Sequence, residues 1–245
     1  MRKVALVIGS SIGLGASTAC ELASEGYDTV ITYLKHKEEA LNLEAMIKKE
    51  YKVDTLTIKC DITNEDDLKN VLNEIKSKFN RLDVLVNNAG ISMDNDFNLK
   101  TKEEFTCVVN TNLIGPFLSS RIFGNYMMEN GSGVIINVSS NNGIDDYYIE
   151  SIDYDASKAG LINLSHNLAK YFGGTIRVNT VCPGWIDTPM NNSLSEEFKN
   201  KVKEKIIMKR FASPNEVANL ICFLSSDKAS YINDAVIRID GGKRW

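Results

Sequence analysis

Residues 4–17 read VALVIGSSIGLGAS, an apolar run that leads directly into a segment rich in glycine and serine. This order is typical of a β-strand that turns sharply into a helix. Two kinds of site use such a turn. The segment Gly9-Ser10-Ser11-Ile12-Gly13 fits the G-x-S-x-G pattern of a hydrolase, in which Ser11 would attack an ester. The same turn also suits the phosphates of a nucleotide, which bind at the N-terminus of a helix.

The histidines disfavour the hydrolase interpretation. A nucleophile elbow is followed along the chain by an acid and then by a histidine base on a loop. The sequence has two histidines: His36 just after the second predicted strand, and His166 inside the helical pattern AGLINLSHNLAKYF. Neither stands where a triad base belongs, and we expect His166 on a helix surface. Two scattered histidines also offer little to a zinc site, so we predict no metal.

The phosphate interpretation explains three glycines together. Gly9, Gly13 and Gly15 would permit the tight turn, the close approach of backbone to a pyrophosphate, and the packing of the helix on the strand. Their spacing is G-x-x-x-G-x-G rather than G-x-G-x-x-G, and a strand-to-helix turn without a ligand is the alternative. A P-loop is excluded because no lysine follows a G-x-x-x-x-G segment. We therefore predict a dinucleotide site that includes Gly9, Ser11, Ile12, Gly13 and Gly15.

The rest of the chain repeats the order of strand and helix. Short runs rich in valine and isoleucine alternate with longer segments of helical period, which indicates βα units around a parallel sheet covered on both faces. We predict seven strands, at residues 4–8, 29–33, 54–59, 84–87, 134–138, 177–181 and 236–239. Asn64, which precedes three acids, and Ser213-Pro214 are typical helix starts. The prediction is a single α/β domain over residues 1–245.

Composition and charge exclude several other classes of protein. The net charge of −4 provides no basic surface for nucleic acid, so we expect none as a partner. No apolar run approaches the roughly 18 residues of a membrane span, and the apolar pattern that starts at Val4 leaves no room for a signal peptide. The five cysteines are scattered, odd in number and without C-x-x-C spacing, as expected in a reducing compartment. We therefore expect a cytoplasmic protein with no membrane partner.

Polar side chains follow the third and fourth predicted strands. Asn88 and Gly90 end the run LDVLVNNAG, and Asp61 and Ile62 follow the third strand. In an open α/β sheet, ligands bind at the carboxyl ends of the strands, so we expect all four residues to line the cofactor site. Asn88 would also bond a neighbouring strand, and that structural role alone is the alternative. Asp61 would accept a hydrogen bond from an adenine amino group, or serve only as a turn acid.

A serine, a tyrosine and a lysine follow in the order that a sheet-edge active site requires. Ser140 ends the strand segment VIINVSS, and YDASK places Tyr154 and Lys158 on one face of a helix. Tyr33 and Lys37 have the same spacing, so the position after the strand is what singles out Tyr154. Lys158 and an oxidised nicotinamide would both favour the phenolate, whose unperturbed pKa is about 10. Tyr154 would then protonate a carbonyl oxygen during hydride delivery, while Ser140 hydrogen-bonds the developing oxyanion.

Taken together, the motifs resemble those of the classical short-chain dehydrogenase/reductase family along essentially the whole chain. The segments that carry the resemblance are GSSIGLG at 9–15, DI at 61–62, NNAG at 87–90, NTNLIGPF at 110–117, NVSS at 137–140, YDASK at 154–158, RVNTVCPGWIDTPM at 177–190 and SYINDAVIRIDGG at 230–242. The resemblance implies an α/β fold class with a doubly wound parallel seven-stranded sheet, Rossmann-like, in a single domain.

The resemblance also implies roles for individual residues. It implies a catalytic set of Asn112, Ser140, Tyr154 and Lys158, in which the serine orients the substrate, the tyrosine is the acid or base, and the lysine holds the nicotinamide ribose. Asn112 would support a water-linked proton path, with a helix-bending contact near the following proline as the alternative. Thr188 would lie against the nicotinamide end of the cofactor. The family is commonly tetrameric, so we expect a homotetramer with the helix NLIGPFLSSRIF as an interface.

The end of the second strand decides which dinucleotide binds. Members of the family that use NAD place an acid there to hold the ribose 2′-hydroxyl. This chain has Tyr33 followed by Leu34, Lys35, His36 and Lys37. Without a carboxylate to repel it, a 2′-phosphate would sit near the lysines, so we predict NADP(H), with Tyr33 and Lys35 in the cofactor site. A solvated helix start is the alternative for the lysines, and Ile12 stands where many NADP-using relatives carry a basic residue.

The subfamily that the chain resembles most is 3-oxoacyl-acyl-carrier-protein reductase, on the segment 209–216 and the C-terminal strand. The interval between Ser140 and Tyr154 is one residue longer than usual and carries five acids, namely Asp145, Asp146, Glu150, Asp153 and Asp155. An acidic rim would repel an acidic carrier protein, and Glu129 and Asn130 point the same way. A solvated charged loop is the alternative.

The sequence thus predicts an NADP(H)-dependent oxidoreductase that interconverts a carbonyl and an alcohol on a small or 3-oxoacyl-type substrate. Acyl carrier protein is a doubtful partner. An NAD-dependent sugar or polyol dehydrogenase and a non-catalytic dinucleotide-sensing protein are the alternatives. We expect the substrate pocket to be lined by loops at 141–153 and 186–208.

Overall fold

A computed structural model describes residues 2–191 and 194–242. The strands in these ranges are β1 (Val4–Ile8), β2 (Asp28–Tyr33), β3 (Thr55–Lys59), β4 (Val84–Asn87), β5 (Gly133–Val138), β6 (Ile176–Pro183) and β7 (Val236–Ile239). The α-helices there are α1 (Gly13–Ser24), α2 (Lys37–Tyr51), α3 (Glu65–Lys78), α4 (Lys102–Val109), α5 (Gly115–Glu129), α6 (Ile152–Phe172), α7 (Glu196–Lys205) and α8 (Pro214–Ser225). All seven predicted strands are confirmed, with ends that differ by one or two residues.

The strands form one parallel sheet in the order β3-β2-β1-β4-β5-β6-β7. The chain starts at β1, builds outward to β3, and then returns to the other side of β1 with β4. The connections therefore leave β1 and β4 in opposite directions, and a crevice opens between them at the carboxyl ends of the strands. The predicted doubly wound α/β fold class is confirmed.

Alternate residues of each strand face two layers of helices. In β1, Ala5 and Val7 pack with residues of α1, α2 and α8, whereas Leu6 and Ile8 pack with residues of α3, α5 and α6. This alternation follows from the two-residue period of a strand. The sheet is covered on both faces, so the binding crevice at its edge has a rigid floor.

The helix starts follow the local sequence signals. The Asn64 side chain accepts hydrogen bonds from the backbone amides of Asp66 at 2.9 Å and Asp67 at 3.2 Å, as predicted. Ser213 caps α8 in a reciprocal capping box with Glu216. A π-helical turn at Asn110–Ile114, which the sequence analysis did not predict, joins α4 to α5. In the described ranges, no helix is both long enough and apolar enough to span a membrane.

Candidate active site

A cleft of about 1300 Å³ lies at the carboxyl edge of the sheet. Fourteen of the predicted site residues line it, namely Gly9, Ser11, Ile12, Gly13, Gly15, Lys35, Asp61, Ile62, Asn88, Gly90, Ser140, Tyr154, Lys158 and Thr188. The fold thus brings residues from nearly the whole length of the chain to one side of the sheet. Two other predicted residues, Asn112 and Tyr33, do not line the cleft.

The glycine-rich turn brings α1 unusually close to β1 and β4. Gly9 has a φ of +75°, a backbone conformation that residues with a side chain rarely adopt, and a Cβ there would lie 2.9 Å from Ala89. A Cβ on Gly15 would lie 2.2 Å from the Gly9 carbonyl oxygen, inside any allowed contact. The N-cap of α1 is Ile12, whose aliphatic side chain makes no capping hydrogen bond. The first-turn amides of α1 therefore remain available to an anion in the cleft.

Asn88 and Asp61 have the structural contacts that the sequence analysis weighed for them. The Asn88 amide donates a hydrogen bond to the Gly9 carbonyl oxygen at 2.8 Å, so it ties β4 to the turn while lining the cleft, and both predicted roles are compatible. The Asp61 carboxylate accepts hydrogen bonds from the backbone amide of Thr63 at 2.9 Å and from its hydroxyl at 2.7 Å. Asp61 is thus a turn acid whose residue also borders the cleft.

Tyr33, the last residue of β2, does not line the cleft. It packs against the hydrophobic cluster that covers α1 and α2, because Ile31 and Tyr33 point to the same side of the strand. The next three residues, Leu34, Lys35 and His36, are exposed and line the cleft instead. The assignment of Tyr33 to the cofactor site stays a prediction, whereas Lys35 lines the cleft.

The predicted catalytic residues converge below the turn. Ser140 follows β5, and Tyr154 and Lys158 lie one turn apart on α6. The Lys158 ammonium donates a hydrogen bond to the Val138 carbonyl oxygen at 2.9 Å and lies 5.4 Å from the centre of the Tyr154 ring. Gly143 permits the turn after β5 to lie close to α6, because a Cβ there would lie 2.7 Å from the Lys158 backbone.

Burial dominates the protonation of this pair. Burial lowers the pKa of Lys158 to about 8. Burial raises the pKa of Tyr154 to about 12, a rise that a hydrogen bond with Ser140 opposes and that the carboxylates of Asp155 and Asp94 reinforce. The sequence analysis expected Lys158 to favour the phenolate, but desolvation outweighs that effect among the protein groups alone. The phenol is consequently protonated at neutral pH, as a proton donor to a carbonyl must be.

Asn112 lies behind the cleft rather than on its surface. It is fully buried in the π-helical turn, where its side-chain oxygen accepts a hydrogen bond from the Ile91 amide at 2.9 Å and its amide donates to the Ile91 carbonyl at 2.9 Å. It also donates to the Ser157 hydroxyl at 3.1 Å. A Cβ on Gly90 would lie 3.4 Å from both the Asn112 oxygen and the Lys158 ammonium. Asn112 therefore fixes the backbone beside Lys158.

Three aromatic side chains that the sequence analysis missed line the substrate end of the cleft. The Phe198 ring makes edge contacts with Tyr148, at 6.0 Å between ring centres, and with Trp185, at 5.8 Å. Trp185 stacks on Phe211 at 5.6 Å. Tyr148 and Phe198 fall inside the predicted loops 141–153 and 186–208, where an aromatic residue in a pocket-lining loop was the signal that could have identified them. Asn192 and Ser193 of the second loop lie outside the described residues. These rings give this part of the cleft an aromatic lining.

The acidic loop is only partly a rim. Asp153 is fully buried against Lys100, and Asp145 pairs with Arg238 at 2.6 Å. Asp155 accepts a hydrogen bond from the Tyr148 backbone amide at 2.9 Å, which shapes the loop. The prediction that all five acids repel a partner is thus corrected, because at least three of them make contacts within the protein.

Glu129 and Asn130 also lie away from the cleft. They end α5 just before β5 begins, which places them at the amino edge of the sheet. Among the described residues, no group of three or more histidine, cysteine, aspartate or glutamate side chains is arranged to hold a metal.

Comparison with known proteins relates this architecture to oxidoreductases. A family model described as Enoyl-(Acyl carrier protein) reductase matches residues 8–244. The chain is 40% identical to a 3-oxoacyl-acyl-carrier-protein reductase of Thermotoga maritima, over 98% of this chain and 97% of that protein. It is 38% identical to the protein of the same name in Staphylococcus epidermidis, over 99% of both chains.

Solved structures have the same fold. The chain superimposes on levodione reductase with a TM-score of 0.93 at 32% identity, over 98% of this chain and 96% of that one. Its TM-score with the acetoin dehydrogenase YohF of Salmonella typhimurium is 0.89 at 29% identity, over 99% and 96% of the two chains.

Proposed function

The chain belongs to the short-chain dehydrogenase/reductase family, and from this premise we propose that it is an NADP(H)-dependent reductase of compact carbonyl compounds. It is an NAD(P)-dependent oxidoreductase that interconverts carbonyl and hydroxyl groups. The observation that carries the proposal is the placement of Ser140, Tyr154 and Lys158 in one cleft with the glycine-rich turn. The finer points, which are the cofactor, the substrate and the roles of single residues, are supported as follows.

The cleft fits a dinucleotide. The glycine-rich turn leaves room for a phosphate against the N-terminus of α1, where the helix dipole favours negative charge. Asn88 holds that turn, and Thr188 lies 3.6 Å from where a Cβ on Gly13 would be, so the turn is bounded by β4 on one side and by the segment after β6 on the other. When bound, the nicotinamide supplies the hydride. The protein groups bind the cofactor, orient the substrate and transfer the proton.

The proton moves from Tyr154 to the substrate oxygen. A buried phenol with a pKa of about 12 stays protonated near pH 7, so it acts as the acid in carbonyl reduction. Ser140 accepts an amide hydrogen bond from Asn142 at 3.2 Å. Its hydroxyl lies 3.3 Å from the side-chain oxygens of Asn141 and Asn142, and these long hydrogen bonds would give way to a stronger one with a developing oxyanion. Lys158, held by the Val138 carbonyl at 2.9 Å, places its positive charge next to the tyrosine ring and stabilises the phenolate left after the transfer.

The test of this chemistry is the variant Tyr154→Phe. It keeps the ring and removes the hydroxyl, so turnover should fall by about 10² to 10⁴-fold, the range of general acid catalysis, while the affinity for the cofactor stays near that of the wild type. Tyr171→Phe is the matched control, because Tyr171 is on the same helix and 73% exposed. Full turnover in Tyr154→Phe would refute the assignment.

The preference for NADP(H) rests on Lys35. Lys35 is exposed in the turn after β2, beside Leu34 and His36, and these three lining residues include no carboxylate. A lysine near a 2′-phosphate forms a charge-assisted hydrogen bond of about 1.5–3 kcal/mol, which is about tenfold or more in affinity. Lys35→Glu should therefore weaken NADPH binding by about that factor and leave NADH binding unchanged or stronger.

Fluorescence titration of both cofactors measures this preference. Lys49→Glu is the control, since Lys49 is on the next helix with its side chain 81% exposed. A wild-type protein that binds NADH as tightly as NADPH would contradict the cofactor assignment.

The substrate end favours a compact apolar ketone. Phe198 contacts both Tyr148 and Trp185, and these three rings line the cleft together with Tyr154. A sugar or polyol would leave its hydroxyl groups unpaired against these rings, which is unfavourable. A short 3-oxoacyl chain fits the same chemistry in free form. A panel of cyclic, short acyl and polyhydroxylated carbonyl compounds would test the order of preference.

We also propose a cytoplasmic homotetramer. The side chains of Phe105, Ile114 and Phe117 are 37%, 42% and 41% exposed along α4, the π-helical turn and α5, an unusual apolar surface for a free helix pair. All five cysteines are free thiols, as in proteins of reducing compartments. Light scattering of the purified protein gives the assembly state, and a monomer would contradict this part of the proposal.

A further inference from the structure

A buried ion pair joins the loop between β4 and α4 to the helix that carries the catalytic tyrosine. The Lys100 ammonium lies 3.0 Å from a carboxylate oxygen of Asp153, and the two side chains are only 5% and 0% exposed. Lys100 also donates a hydrogen bond to the Met93 carbonyl oxygen. Charged side chains are rarely buried this completely unless they are paired. The pair therefore fixes residues 93 and 100 of the loop to the first turn of α6.

The carboxylate of Asp153 also reaches Tyr154 itself. Its second oxygen accepts a hydrogen bond from the Tyr154 backbone amide at 2.9 Å. Asp153 thus contacts the loop through one oxygen and the catalytic residue through the other. An anion in the first turn of a helix is stabilised by the helix dipole, but Asp153 also places a negative charge at the backbone of the tyrosine whose phenol must ionise during the reaction.

The same loop forms one wall of the active site. Its residues Ile91, Ser92 and Asp94 line the cleft, and its backbone is also held by Asn112 at Ile91. A further hydrogen bond runs from the Asn95 backbone amide to the Glu150 carbonyl oxygen at 2.9 Å. Lys100 is the side chain at the far end of this wall, just before the capping box that starts α4.

We propose that Lys100 and Asp153 form a positioning pair, in which Asp153 holds the loop and the Tyr154 backbone together and Lys100 neutralises the carboxylate adjacent to Tyr154. This inference rests on the proposed role of Tyr154 as the acid or base. The other charged or titratable groups around Tyr154 are Asp94 from the loop, Cys182 from β6, and Asp155 and Lys158 from α6. Of these, Asp94 and Asp155 already raise the pKa of Tyr154, so a third, uncompensated carboxylate would oppose its ionisation further.

The pH dependence of alcohol oxidation tests the neutralising role, because Tyr154 must then lose its proton. In Lys100→Met the carboxylate of Asp153 is unpaired, so the acid limb of the kcat profile should move to higher pH by about one unit, with a tenfold loss of kcat at a fixed pH on that limb. The double variant Lys100→Met/Asp153→Asn removes both charges and should return the limb toward its wild-type position. An unmoved limb in Lys100→Met, or a double variant as impaired as the single one, overturns the proposal.

Two further variants keep the test decisive. Asp153→Asn keeps an oxygen for the Tyr154 backbone amide and leaves Lys100 charged, so it should move the acid limb of the kcat profile to lower pH, opposite to the effect of Lys100→Met. If this limb does not move in Asp153→Asn, the proposal is overturned even when Lys100→Met fails to fold. Lys100→Arg should restore the wild-type profile. Lys69→Met, which removes an exposed ion pair with Glu65, is the matched control and should leave the profile unchanged.

Hydrogen exchange separates failure of this inference from failure of the proposed function. It needs no turnover, so it remains informative in a protein without measurable activity. Amides in peptides covering 91–101 and 147–157 should exchange faster in Lys100→Met than in the wild type, while those of β1 stay protected. Equal protection of both peptides in the two proteins would refute the positioning role whatever the outcome of the activity assays.

Discussion

The substitution Gly15→Ala should damage both the stability of the fold and the cofactor site. A Cβ at this position lies 2.2 Å from the Gly9 carbonyl oxygen and 2.5 Å from the Asn88 amide nitrogen. A relaxed contact between such atoms is about 3.5 Å, so α1 must withdraw by about 1 Å. The obstacle is backbone, which cannot rotate away as a side chain can. The hydrogen bond of 2.8 Å between Asn88 and Gly9 lies in the same gap and is lost with the movement.

The expected magnitude combines three effects. Overpacking of a tight interior contact costs about 1–3 kcal/mol, and loss of the Asn88 hydrogen bond adds about 1 kcal/mol. Alanine in place of glycine inside a helix returns about 1 kcal/mol. The free energy of unfolding should therefore fall by about 2 kcal/mol, which for a chain of this size lowers the Tm by about 4–8 °C.

Urea unfolding followed by circular dichroism measures this change, and fluorescence titration measures the cofactor. Because the amides of the first turn of α1 move with the helix, NADPH should bind at least about tenfold more weakly, as expected for one lost charge-assisted contact. Gly174→Ala is the matched control, since a Cβ there meets nothing within 4 Å. It should unfold within about 0.5 kcal/mol of the wild type.

Two results would refute the reasoning on Gly15. Wild-type stability in Gly15→Ala would mean that α1 does not approach the turn so closely. Reduced stability with unchanged NADPH affinity would mean that the turn does not hold the cofactor.

Three further predictions concern other parts of the molecule. Lys158→Met should raise the free energy of unfolding at pH 7 by on the order of 1–3 kcal/mol, because burial lowers the pKa of Lys158 to about 8. The gain should shrink from pH 8 to 10.5, where the unfolded chain binds the proton and the folded chain does not. Urea unfolding at several pH values measures this change, and a gain that stays constant with pH would contradict the prediction. Ser213→Ala removes the cap of α8 and should lower the free energy of unfolding by about 1 kcal/mol. Ser195→Ala should lower it less, because α7, the helix that Ser195 caps, has no buried residue; equal effects of the two variants in calorimetry would contradict this. Phe198→Ala should raise kcat/KM for longer carbonyl compounds relative to compact ones without changing NADPH affinity, and an unchanged ratio would show that the ring does not limit the pocket.

Much of this architecture follows from local sequence. The valine and isoleucine runs predicted each strand, because a strand covered on both faces buries apolar side chains on both of its sides. Asn64 and Ser213 predicted helix starts for the same reason that they now accept amide hydrogen bonds there. The order of Ser140, Tyr154 and Lys158 along the chain was enough to place them together, since parallel strands deliver their carboxyl ends to one edge.

Other features could not be predicted, for physical reasons. Tyr33 was assigned to the cofactor by its position in the chain, and the structure shows that it packs on the same side of β2 as Ile31 and does not line the cleft. Asp153 was counted among solvated acids, because its partner Lys100 is 53 residues away and no local pattern connects them. The aromatic contacts of Phe198 depend on how two loops fold over the cleft, which neither propensity nor periodicity describes.

The π-helical turn fixes the number of residues between α4 and α5. Such a turn holds one residue more than the α-helical turn that it replaces, and each residue rotates a helix by about 100°. Deleting any residue from Asn110 to Ile114 would allow uninterrupted α-helical bonding, yet it would swing the inner face of α5, with Phe123 and Met127, off the sheet and withdraw Asn112 from Ile91. Apart from Asn112, the length of this segment therefore matters more than its amino acids, because a deletion shifts the register of α5 whereas a substitution keeps it.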